Sequence, residues 1–122
     1  MKLHSLEETF AAIGRFCSIQ GLSDNSCFKV NLICEELVVN LFQYSRATEF
    51  DLDLSRQGEK LMIKISYQAE KFDPTRPTKP ETAPVEDLQY GGLGLVLVNT
   101  LAESLDYSYD SKNALNVLSI TL

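Results

Sequence analysis

The chain of 122 residues has no tryptophan, one histidine, two methionines and three cysteines. His4 is alone and has no partners at metal-ligand spacing, so zinc chemistry and histidine relays are not expected. Nor is there a dimerising helix carrying a phospho-accepting histidine, which argues against a histidine kinase in the strict sense. The cysteines, Cys17, Cys27 and Cys34, form no C-x-x-C pair. An odd count without metal spacing predicts reduced, mostly buried thiols that pack as small hydrophobes in a cytoplasm. Positive charge is scarce: 11 Lys and Arg against 17 Asp and Glu give a net charge of -6. That balance argues against nucleic acid and anionic lipid as partners. No apolar run approaches the roughly 18 residues of a membrane span. The opening "MKLHSLEETF" has acidic residues where a signal peptide needs an apolar stretch, so export is not expected and the cytoplasm is.

Proline and glycine are few but concentrated. All four prolines fall between Ala69 and Tyr90, and three of the six glycines, Gly91, Gly92 and Gly94, fall within four residues. The remainder, with 44% hydrophobic residues overall, suits one compact domain over residues 1–122.

Leu6, Phe10, Ile13 and Cys17 recur at helical spacing, so a helix is expected over 5–20. Ser5 and Glu8 form a capping-box pattern, and Gly21 supplies the stop. Ser23 or Asp24 caps a second helix to about residue 45, with Val30, Ile33, Cys34, Leu37, Val38 and Leu41 along one face. "TEFDLDL" and "LMIKISY" alternate as strands around the loop "SRQGEK". Residues 69–90 lack periodicity; a loop that long in so small a domain is commonly a lid or binding segment. A third helix is expected over 93–105. Two more strands, "LDYSY" and "LNVLSITL", close the chain. Hairpin-linked strands with helices to cover one face predict an α+β two-layer sandwich with a mostly antiparallel sheet.

The second helix carries an unusual stripe. At about 100° per residue, Lys29, Glu36, Asn40 and Gln43 share a band about 60° wide. Ile33 and Leu32 flank this band. A surface helix normally has one broad polar face; a narrow polar stripe between apolar neighbours suits a helix lining a pocket. Glu36 and Asn40 are one turn apart. A carboxylate there suits a general base, and an amide oxygen is a hard, neutral ligand for Mg²⁺ shared with phosphates. Solvated surface residues remain the plainer reading of that spacing. The glycines before the third helix expose backbone N–H groups at a helix N-terminus and let an anion approach. They match neither G-x-G-x-x-G nor a P-loop. Taken with the loop and the stripe, they point to phosphate.

"CEELVVNLFQYS", "ISYQAEKFDP", "YGGLGLVLVNTL" and "NVLSITL", in that order, resemble the GHKL (Bergerat-fold) ATPase superfamily, and within it the short anti-sigma-factor serine/threonine kinases. The resemblance spans nearly the whole chain. It implies ATP and Mg²⁺ as ligands, with Glu36 as general base and Asn40 as the metal ligand. It assigns Gln43, Phe72, Asp73, Gly92, Leu93, Gly94 and Leu95 to the nucleotide site, with "FDP" (72–74) opening the lid. The family's D-x-G, whose Asp accepts from the adenine amino group, is occupied by Tyr67 and Ala69. Losing such an acceptor costs about 1.5–3 kcal/mol, roughly ten- to over a hundredfold in affinity. The Tyr67 hydroxyl or Gln68 is left to compensate. Val117 falls where many members carry a Thr near the base. The implied activity is phosphorylation of a serine on a STAS-type anti-sigma-factor antagonist. A sigma factor and a homodimeric state are further implied partners. The alternative is a non-catalytic interaction module of the same fold that binds ATP weakly or not at all.

Overall fold

Residues 1–71 and 98–122 are described in the computed structural model. Helix α1 runs Leu6–Gln20, and Ser5 caps it, its hydroxyl accepting from the Glu8 amide at 3.1 Å. The Glu8 carboxylate reaches one residue further back, accepting from the His4 amide at 3.1 Å. Gly21 ends the helix at φ 62°, where a side chain would be strained. Helix α2 runs Asp24–Tyr44, and of its two candidate caps Ser23 serves, accepting from the Ser26 amide at 3.1 Å.

The expectation of three reduced thiols is corrected here. Cys17 and Cys27 form a disulfide with Cα atoms 5.9 Å apart, joining the end of α1 to the start of α2. No local spacing rule marks such a pair, because the two helices must pack before the sulfurs meet. Closing a loop of this size contributes about 2.5–3 kcal/mol in the chain-entropy treatment. Cys34 behaves as expected: it is fully buried, and burial pushes its thiol up to about 12.

Five strands form one antiparallel sheet: β1 (Lys2–Leu3), β2 (Phe50–Gln57), β3 (Lys60–Gln68), β4 (Ser104–Asp110) and β5 (Leu115–Thr121). Their order is β1-β2-β3-β5-β4. The short β1 was not anticipated, since two residues carry no periodicity; it pairs Lys2 with Asp51 and Leu3 with Phe50. Alternation sends Phe50, Leu52, Leu61, Ile63, Ile65, Tyr67, Asn116, Leu118 and Ile120 to the helix side, where all are buried. Asp53, Met62, Lys64 and Ser119 point the other way and remain exposed. Phe42 of α2 meets Phe50 edge-on at 5.7 Å, fixing the end of the helix above β2. The α+β two-layer sandwich is therefore the observed architecture.

Two boundaries differ from expectation. The loop 55–60 shrinks to a two-residue turn because pairing continues to Gln57 and Lys60, with Gly58 at φ 62°. The third helix, helical at 98–101 among the described residues, stops before Ser104 rather than at Leu105. Apolar Leu101 and Leu105 fit helical spacing, but Leu105 pairs with Ile120 in the sheet.

The β4–β5 turn holds a backbone misfit. Ala114 sits at φ 50°, a conformation that costs a residue with a Cβ about 1–2 kcal/mol. Ala114→Gly should stabilise by about 0.5–1 kcal/mol after the loss in unfolded-state entropy. Urea unfolding checks this; a lower midpoint would refute it. Asp110 organises the same turn, accepting from Asn113 Nδ2 at 2.7 Å and from the Lys112 amide at 3.0 Å. The Asn113 side-chain bond is the main cause that holds its carboxyl below the usual range; desolvation opposes it, and backbone bonds from Lys112 and Asn113 add to the lowering. The stabilisation is thus present above the ordinary carboxylate pKa and lost as pH falls through the lowered one.

Candidate functional site

Burial around α2 is graded. Val30, Ile33, Cys34, Leu37, Val38 and Leu41 are buried against the sheet and α1. Asn40 lies at one rim of this face and is 5% exposed. Glu36 and Lys29, next around the helix, are half-buried, and Gln43 is exposed. Leu32 and Val39, beyond the stripe, are half-buried again. The stripe is therefore the edge of the packed face, with apolar side chains on both sides.

Asn40 is the informative member. Its side chain is taken almost wholly out of water, yet its amide makes no hydrogen bond among the described residues. Its amide oxygen and nitrogen are not among the sealed, unpartnered polar atoms of the described residues, so at this rim they keep access to the surface. An amide kept in this state is suited to a ligand: its oxygen can serve a hard cation and its NH₂ an anion. Glu36, one turn away, also has no ion-pair or hydrogen-bond partner for its carboxylate among the described residues. Side chains spaced this way on a helix have Cβ atoms about 5–6 Å apart, so both can reach one small ligand.

At the far end of β3 the side chains are already committed. Tyr67 is 2% exposed and belongs to the core cluster, so its ring is packed in and not swung out to solvent. Gln68 alternates to the opposite face, and its Nε2 donates to the Asn113 carbonyl at 3.4 Å. It is not available to compensate on the helix side. The expectation for Val117 is corrected by register. Val117 pairs with Ser66, whereas Asn116 pairs with Tyr67. Asn116, not Val117, shares the helix-facing side with Tyr67.

Asn116 was missed in the sequence. It is fully buried. Its Nδ2 donates to the carbonyls of Ala69 at 3.3 Å and Glu70 at 3.1 Å. Its Oδ1 accepts from the Tyr107 hydroxyl. The Ala69 amide also donates to the Ala114 carbonyl at 3.0 Å, tying the strand end to the β4–β5 turn. A signal did exist: one Asn alternating with Leu118 and Ile120 occupies an apolar register.

A cavity of about 510 Å³ opens beside this end, lined among others by Arg46, Thr48, Ser66, Gln68 and Asn113. Glu36 and Asn40 are not part of its lining. Most of its strand residues belong to the face turned away from the helices, so it is separate from the α2 stripe. Phe72, Asp73, Gly91, Gly92, Leu93, Gly94 and Leu95 lie outside the described residues, as does most of the expected lid. Among the described residues no group of His, Cys, Asp and Glu forms a metal cluster. No helix there is long and apolar enough to cross a membrane.

Comparison with known proteins adds three findings. The family model described as a histidine kinase-like ATPase domain matches residues 1–122. A chain in the crystal structure of the SiaB–SiaC complex from Pseudomonas aeruginosa superposes with a TM-score of 0.70 at 15% identity, covering 96% of this chain and 82% of that one. The Acinetobacter baumannii histidine kinase AdeS gives a TM-score of 0.49 at 13% identity, covering 79% of this chain and 46% of that one. No curated protein matches significantly.

Proposed function

The chain belongs to the histidine kinase-like ATPase domain family, and from that premise we propose that it is an ATP- and Mg²⁺-dependent protein kinase with an anti-sigma-type regulatory role. Its substrate would be a serine on a small STAS-type antagonist. The observation that carries this reading is Asn40: a largely buried residue at the rim of the core whose amide makes no hydrogen bond among the described residues, one turn from a half-buried carboxylate. The likeness to a chain from a two-protein complex is one of fold, and is compatible with a protein partner.

The chemistry needs few groups. Mg²⁺, when bound, would screen the phosphate charge that develops during transfer. Asn40 supplies a neutral oxygen for it, and the neutrality keeps the site from repelling phosphate. Glu36 would accept the hydroxyl proton of the incoming serine as its oxygen attacks the γ-phosphorus, and ADP would leave. The half-burial of Glu36 leaves its carboxylate reachable from outside, which a partner's serine requires. The segment from Phe72 to Leu95 would supply the remaining contacts: Gly92, Leu93, Gly94 and Leu95 to phosphate, Phe72 and Asp73 at the entry to the lid.

The test is calorimetry with ATP and MgCl₂ on the wild-type protein and Asn40→Ala. Wild-type binding in the micromolar range, weakened at least about tenfold by the substitution, is expected for loss of one charge-assisted contact. No heat at millimolar ATP would reject the reading in favour of an interaction module that no longer uses nucleotide.

A further inference from the structure

We propose that Cys17 and Cys27 form a reversible redox site: a dithiol reductant opens the bond at the Cys27 sulfur, and a disulfide oxidant closes it again, while the fold stays intact. The inference is independent of the nucleotide reading above. It comes from the hairpin between α1 and α2.

The two sulfurs differ in access. Cys17 is 8% exposed and belongs to the core cluster. Cys27, four residues past the Ser23 cap, is half-buried. A thiolate must reach the sulfur it attacks, so attack falls on Cys27. Asn31 sets a second difference. Its Nδ2 donates to the Cys27 carbonyl at 3.0 Å and lies 3.6 Å from the Cys27 Sγ. An N–H so placed favours a sulfur anion, as does the N-terminal end of a helix.

The exchange runs in two displacements. One thiolate of the reductant bonds to the Cys27 sulfur as the Cys17–Cys27 bond breaks. The electron pair leaves on Cys17, which takes a proton. The second thiol of the reductant then gives up its proton and attacks the reductant's own sulfur in the mixed disulfide. Cys27 leaves as the thiolate that Asn31 faces. The protein gains two electrons and the dithiol becomes a cyclic disulfide; its two protons go one to Cys17 and one to Cys27 or solvent.

The fold does not depend on the bond. It spans ten positions of a hairpin that is also fixed without it. The Leu22 amide donates to the Cys17 carbonyl at 3.0 Å, and the Cys27 amide donates to the Ser23 carbonyl at 2.9 Å. Gly21 stops α1 and Ser23 caps α2. Beneath them Ala12, Ile13, Val30, Ile33 and Cys34 are buried. Reduction therefore releases a tie between the ends of two docked helices and leaves the core closed. What changes is the ease with which the α1–α2 connection opens.

The test treats the intact protein, without denaturant, with dithiothreitol or with the C-x-x-C protein thioredoxin. Free thiols are then alkylated with iodoacetamide and located by mass spectrometry. Fully buried Cys34 serves as the internal reporter of unfolding. The expected result is alkylation of Cys27 ahead of Cys17, with Cys34 unlabelled, and restoration of the bond by oxidised glutathione. Reduction by either reagent supports the inference, and the faster arm identifies the reductant as a small dithiol or a protein. Hydrogen exchange at the amides of 21–27 should quicken by at least about tenfold on reduction, with the sheet unchanged. Asn31→Ala should slow alkylation of Cys27 by at least about threefold; an equal rate would overturn the part given to Asn31. A bond reduced only in denaturant, or Cys34 labelled together with the other two, would make it a structural staple and overturn the inference. The double variant Cys17→Ser, Cys27→Ser should still melt cooperatively; failure to fold would overturn the inference as well.

Discussion

Glu36→Gln is expected to lower the rate of phosphoryl transfer by about 10²–10⁴-fold, the usual contribution of a positioned general base, while ATP affinity changes by less than about threefold. The amide keeps the size and most of the polarity of the carboxylate but cannot take the proton. The binding site for nucleotide is thus preserved while the chemical step is not. Glu35→Gln is the matched control. Glu35 is exposed and lies about 100° around the helix from Glu36, so its neutralisation removes the same charge without touching the stripe. Transfer of radiolabelled phosphate to a STAS-type acceptor, with calorimetry for ATP, measures both halves. Transfer by Glu36→Gln within about tenfold of wild type would move the base elsewhere. Equal losses in the two variants would make the effect one of net charge.

Such a split between chemistry and binding requires α2 to be rigid along the stripe. Its N-terminal end is held twice, by the Ser23 cap and by the bond between Cys27 and Cys17. Its far end is held by Phe42 against Phe50. Between these anchors the apolar face is fully buried, so the rotation of the helix, and with it the direction of Glu36 and Asn40, is fixed by packing.

Much of this was legible because it depends on local rules. Helical spacing in α1 and α2, the two serine caps, Gly21 and the strand alternation act within a few residues, and each appears where the sequence predicts it. The polar stripe was legible for the same reason, since angular position on a helix follows from residue number. What the sequence did not show depends on partners distant in the chain. The Cys17–Cys27 bond needs two helices already docked. The role of Asn116 needs the β3–β5 register, which is set between residues 47 positions or more apart. Register also decides the matter of Val117: a shift by one residue turns every side chain of a strand to the other face. Family resemblance supplied the roles proposed for Glu36 and Asn40, but the placement of Asn40 at the rim of the core, with no hydrogen bond to the described residues, is a property of packing and could be seen only in three dimensions.

The same network yields the largest stability effect. Asn116→Leu should destabilise the fold by about 2–4 kcal/mol, because it removes the shared partner of one hydroxyl and two carbonyls at a fully buried position. Leucine keeps the branched shape of asparagine and leaves no void, so the cost is mainly that of unsatisfied polar groups. For a chain of this length the melting temperature should fall by about 6–15 °C. Tyr107→Phe alone should cost about 1 kcal/mol, since it removes only the hydroxyl that donates to Asn116. In the double variant the penalties should not add: once the hydroxyl is gone, the leucine has no donor left to strand. A coupling of about 1 kcal/mol is expected. Thermal unfolding of the four proteins followed by circular dichroism gives the cycle. Asn116→Leu melting within about 2 °C of wild type would show that Asn116 does not hold the end of β3. Full additivity would separate Tyr107 from it. The cost also explains why the amide stays turned inward: rotating it towards a ligand would forfeit the bonds whose loss this variant measures.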